Sequence, residues 1–211
     1  MTPALERLLV ETVAELFLAY DSPVHRVTGH FTQSASSLAA PNLLVSALDV
    51  SGPPSEASIA KGRVLLLTSF DFLASCRPEG FTEVLSTTSA RDWIYVRDWA
   101  KEITNQLVGR VLNHIGEAGL SLRASLPMLV NADAVHGQIA ARRCPVLRFA
   151  SGYHEVQLWF DVAVPSRIEQ ALATGARSRV ITPGTMILLQ ERTRARVSER
   201  TAASFRPSER R

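Results

Sequence analysis

What this sequence is short of narrows the reading first. It has two cysteines, Cys76 and Cys144, far apart and in apolar surroundings, which reads as reduced thiols rather than a disulfide or a metal-binding pair. No apolar run approaches the roughly 20 residues that a spanning helix needs. The N-terminus also lacks the basic, apolar and small-residue regions of a signal peptide, so the expectation is a cytoplasmic protein with no membrane segment. Lys61 and Lys101 are the only lysines among 23 basic residues. There is no internal repeat, and Glu-x-x-Asn occurs once. With 211 residues and 46% hydrophobic content, the chain suffices for one domain with a proper core and an appendage.

The charge is unevenly placed. Arg192, Arg194, Arg196, Arg200, Arg206, Arg210 and Arg211 face only Glu199 and Glu209, and this stretch carries the positive excess of the +3 net charge. A basic terminus with Ser and Pro reads as a disordered, solvated tail over 191–211. Binding of nucleic acid or a membrane surface is a competing reading, but only Phe205 offers a base a stacking partner.

Periodicity organises the remainder. Thr2 and Pro3 suit a helix start, and Leu5, Leu8, Leu9, Val13, Leu16, Phe17 and Tyr20 recur at helical spacing until Asp21-Ser22-Pro23. Strands follow over 42–50 and 64–70, separated by Ser51-Gly52-Pro53-Pro54, and the pair is expected to run antiparallel. Residues 71–85 read as a loop or short helix. The longest helical pattern spans Ser89 to Gly116, with Ser89 and Asp92 spaced as a capping box. A strand over 120–130 comes next, in which Pro127 predicts an edge or a bend. Segments 145–150 and 155–162 form a hairpin across Ser151-Gly152-Tyr153-His154, and 130–143 reads as a polar loop. The fold class is therefore α+β: a mostly antiparallel sheet packed against a long central helix and an N-terminal helix. The domain is expected over 1–165, with a short helix and strand extension over 166–190.

The central helix carries the chemistry. Val96, Trp99, Ala100, Ile103, Leu107 and Val111 form an apolar stripe, while Asp98, Glu102, Asn105 and Gly109 line the opposite face. A glycine there costs about 1 kcal/mol of helix propensity relative to alanine, which suggests that another backbone approaches it. By itself, a polar helix face is ordinary solvated surface. Metal hydrolysis by His114, His136 or His154 lacks ligand spacing, and His25 and His30 make a poor metal pair.

The spacing Asp98-x-x-x-Glu102-x-x-Asn105, with Gly109 four residues later and Pro127 downstream, resembles the motif of the CheC/CheX/FliY family of CheY-phosphate phosphatases. Leu126 to Val130, Pro145 to Leu147 and Val156 to Leu158 look like the family's strands, and the likeness covers about residues 1–165. A single motif makes the chain more similar to CheX than to the two-motif CheC.

The resemblance implies a CheX-like phosphatase domain that hydrolyses the phospho-aspartate of a CheY-like response regulator. Glu102 and Asn105 would be catalytic, and Asp98, Gly109 and Pro127 would contact the partner. The resemblance further implies a homodimer, no cofactor held by this chain, and Mg²⁺ supplied by the regulator. The alternative is a non-catalytic adaptor of the same fold in bacterial signalling, since a fold does not by itself imply an activity.

Overall fold

The computed structural model describes residues 1–27, 42–52, 61–76, 85–141 and 145–175. Helix α1 (Pro3–Leu18) opens the chain. Thr2 Oγ1 accepts from the Leu5 amide and Pro3 occupies the first turn, where its missing N–H costs nothing. Leu5, Leu8, Leu9, Val13, Leu16 and Phe17 are all buried, so the helical spacing is spent on the core. Asp21, at φ 51, turns the chain out of this helix into β1 (His25–Arg26).

Strands β2 (Leu43–Ser51) and β3 (Lys61–Ser69) pair antiparallel from Leu43↔Ser69 to Ser51↔Lys61. Helix α2 (Phe70–Ser75) follows, capped by the Ser69 hydroxyl, and then α3 (Ala90–Glu117). Beyond α3 lie β4 (Arg123–Ala124), β5 (Met128–Val130), α4 (Ala132–Ala141), β6 (Val146–Ser151), β7 (His154–Val162) and α5 (Ser166–Gly175). The sheet runs β1-β6-β7-β3-β2, with β4 and β5 both on the outer side of β2, and every pairing is antiparallel. The α+β class, the β2/β3 pair and the β6/β7 hairpin are as the sequence predicts.

Both faces of the central strands are covered. One face, with Leu44, Leu48, Val64, Leu66, Leu158 and Phe160, meets α1, α2, α3 and α5. The other, with Val45, Ala47, Leu65, Leu67 and Trp159, meets Val135 and Ile139 of α4. Strands buried on both sides read as continuous apolar runs rather than alternations, which is the pattern of Val64 to Leu67.

Four expectations are corrected. The strand read over 120–130 is two short ones, because Leu120 turns into the core and Pro127, with no N–H to give, interrupts the pairing to β2. Pro127 thus marks both an edge and a break. The polar loop expected over 130–143 contains α4, begun by Asn131, whose side-chain oxygen accepts from the Asp133 amide. The capping box is only half formed: Ser89 Oγ accepts from the Asp92 amide, but the Asp92 carboxylate turns to the Ser86 amide. Finally, the domain expected to close at 165 runs on through α5. Ile168 and Leu172 lie in the same core as α1, and the compact unit spans Met1–Ala176. The predicted strand at 185–190 and the basic tail lie outside the described residues, as do His30 and Cys144. No helix among the described residues is long and apolar enough to cross a membrane.

Candidate functional site

Helix α3 is packed into the core from Val96 to Ile115. Ala100, Ile103, Thr104, Leu107, Val108, Val111 and Ile115 are buried against the sheet and α1. At the far end a Schellman turn closes the helix: Gly119 takes φ 96 and the Leu120 amide donates to the Ile115 carbonyl. Leu120 is fully buried and locks that end. A helix anchored on one side and at both ends presents its outer face in a fixed geometry.

On that outer face stand Asp98, Glu102 and Asn105, all exposed, with the half-exposed Gly109 one turn beyond. The structure therefore brings four of the five candidate residues together, because they share one helix at spacings of three and four. Asp98 pairs with Lys101 at 2.5 Å. Asn105 is exposed, and its carboxamide, which can both donate and accept, makes no hydrogen bond with the described residues. A Cβ added at Gly109 would meet nothing within 4 Å, so no backbone among the described residues explains the glycine. Pro127 is not on α3 but in the gap between β4 and β5, at the edge of the sheet.

Two residues outside the motif complete the site. Gln106 Nε2 donates to Glu102 Oε1 at 2.8 Å, and the Tyr20 hydroxyl donates to Gln106 Oε1 at 2.8 Å. Tyr20 stands edge-on to Trp99, with ring centroids 5.1 Å apart and planes at 84°. The Trp99 indole N–H donates to the Cys76 carbonyl at 2.6 Å. Burial raises the Tyr20 pKa, with its bond to Gln106 opposing and the Glu102 charge adding to the rise. The spacing of Gln106 from Glu102 is a readable helix pair, but Tyr20 lies 86 positions from Gln106 and no local pattern joins them.

Among the described residues no three His, Cys, Asp or Glu side chains converge. His114 faces Glu117 at 3.7 Å, and His154 packs its ring near Phe72. Cys76 is a buried free thiol, pushed up to about 11 by desolvation, which makes it a poor nucleophile.

No family model matches the sequence, and no curated protein is similar to it in sequence. The fold does have solved counterparts. A CheC-like superfamily protein from Shewanella sp. PV-4 superposes with a TM-score of 0.56 at 12% identity, over 77% of this chain and 99% of that one. A chemotactic CheC-like protein from Shewanella oneidensis MR-1 gives 0.51 at 14% identity, over 77% and 99%. The CheX–CheY–BeF3–Mg²⁺ complex from Borrelia burgdorferi gives 0.52 at 8% identity, over 76% and 96%. At these identities the likeness is one of fold, and the fold is that of the CheC-like and CheX proteins.

Proposed function

We propose that this chain of CheC/CheX fold is a protein-aspartyl-phosphate phosphatase acting on a CheY-like response regulator. The observation that carries the reading is the exposed Glu102/Asn105 pair, one turn apart on the outer face of α3. Hydrolysis of a phospho-aspartate needs a water held in line with the scissile P–O bond, and positioning supplies most of the catalysis in a loose transition state. A carboxamide suits that task, because it both donates and accepts and does not titrate.

In this reading Asn105 enters the regulator's active site and orients the water. Glu102 meets a cationic side chain beside the phosphoryl group, which fixes the register of docking. Asp98 flanks the contact, Gly109 lets the partner's backbone come close, and Pro127 shapes the neighbouring sheet edge. The Mg²⁺ that neutralises phosphoryl charge belongs to the regulator, so this chain supplies no metal ligand. The CheX from Borrelia burgdorferi, crystallised with CheY, beryllofluoride and Mg²⁺, supports a CheY-like partner. The same reading makes the active form a cytoplasmic homodimer with one site per protomer.

The test is phosphate release from a phosphorylated CheY-like receiver of the same genome. Asn105→Ala is expected to slow turnover by on the order of 10²-fold with its fold unchanged. Glu102→Ala is expected to raise KM by about 10-fold or more through loss of a docking charge pair. If Asn105→Ala turns over as fast as the parent, the assignment is wrong. If the parent binds the phosphorylated receiver without accelerating its decay, the chain is an adaptor instead.

A further inference from the structure

Glu102 stands on an exposed helix face, where a free carboxylate samples several rotamers and must give up that freedom when a partner arrives. Here one of its oxygens is already held. Gln106, one turn on, donates Nε2–H to Glu102 Oε1, and the Tyr20 hydroxyl donates to Gln106 Oε1, each at 2.8 Å. The polarity of this chain is set by chemistry: a carboxylate only accepts, so the amide must turn its NH₂ to Glu102 and its carbonyl to the phenol. Tyr20 comes from the turn after α1, and its ring stands edge-on against Trp99, itself tied to the Cys76 carbonyl. The connection therefore runs from the rim of the core out to the carboxylate, and Glu102 Oε2 takes no hydrogen bond from the described residues.

We propose that Gln106, oriented by Tyr20, is a positioning residue that presents Glu102 to the docking partner with one oxygen held and the other open. The role rests on the phosphatase reading above. It assigns Gln106 and Tyr20 to binding of the regulator rather than to the chemical step, because both act through Glu102, whose task is to fix the register of docking. Burial keeps the Tyr20 phenol protonated as a donor over the working pH range.

The experiment uses the full chain and a phosphorylated CheY-like receiver. Tyr20→Phe keeps the ring and removes only the hydroxyl; Gln106→Met keeps the length and removes both polar atoms. Each is expected to raise KM by about 3- to 10-fold, the cost of ordering a long side chain at docking, with kcat within about twofold of the parent. The effect must vanish where Glu102 is absent, so Glu102→Ala/Gln106→Met is expected to match Glu102→Ala alone. In the free protein, the Gln106 side-chain amide resonance is expected to shift in both Tyr20→Phe and Glu102→Ala, which a role in packing alone would not require.

The proposal is overturned if either single variant leaves KM unchanged, or if the Gln106→Met effect persists in the Glu102→Ala background. An unmoved Gln106 resonance in both variants overturns it as well. If Asn105→Ala and Glu102→Ala are both as active as the parent, the phosphatase reading itself has failed and this role falls with it. A parent-like KM in Gln106→Met beside a slow Asn105→Ala would remove the positioning role alone.

Discussion

At the residue scale, side chains of one type do different work according to what faces them. The exposed Asp98 and the half-exposed Asp49 are both paired, but only Asp49 sits across a strand pair from its partner, opposite Arg63. The Arg63 guanidinium holds the Asp49 carboxyl below its usual range by hydrogen bonding, partly offset by desolvation. A depressed folded pKa gives stability that is present above the unfolded value, about 4, and is lost as pH falls through the folded one. Because the pair is solvent-screened, Asp49→Asn is expected to cost less than about 1 kcal/mol at pH 7. Urea unfolding along the acid limb should show the gap between parent and variant shrinking; a gap that grows in acid would contradict the pairing.

Residue-level legibility in the site followed the same logic of distance. Asp98, Glu102, Asn105 and Gly109 could be grouped from the chain because helix geometry alone puts them on one face. Tyr20 could not, since its place beside Gln106 depends on how α1 packs on α3.

At the scale of elements, caps and turns were readable and packed faces less so. The start of α3 at Ser89, the hairpin at Gly152 and the end of α1 near Asp21 all carry residues whose local chemistry forces the chain. Helix α4 is hard to read from the chain because, among its described side chains, Val135 and Ile139 are the buried ones, and Gly137 weakens its helical pattern. Strand β3 holds a constraint that its sequence does not advertise. A Cβ at Gly62 would sit 2.1 Å from the Asp161 carbonyl oxygen and 2.5 Å from Val162 Cα on β7. Both are backbone atoms of a paired strand and cannot swing away. Gly62→Ala is therefore expected to destabilise the protein by about 1–3 kcal/mol or more, measured by thermal or urea unfolding. The same change at Gly109, where a Cβ meets nothing, should leave stability unchanged or slightly raised.

At the scale of the whole molecule, a sheet covered on both faces supports a helix whose outer face carries Asp98, Glu102 and Asn105 to solvent. Helix α5 belongs to that construction. Ile168 and Leu172 are nearly inaccessible and join the core that holds α1 and α3. Leu172→Ala is expected to cost about 2–5 kcal/mol by opening a cavity, which calorimetry would detect as a lowered Tm. A Tm equal to the parent's would mean that α5 is an appendage, as its place in the chain had suggested.

The sequence by itself determined the α+β class, the main strands, the anchored helix and the shared face of Glu102 and Asn105. Those depend on periods of two and 3.6 residues and on caps that act within a few positions. Only the tertiary structure decided that β4 and β5 break around Pro127, that α4 covers the second face and that α5 closes the core. It alone also decided that Tyr20 reaches Gln106 and, through it, Glu102. Each of these is a contact between segments distant along the chain, selected by which apolar surfaces remain to be covered once the local elements have formed.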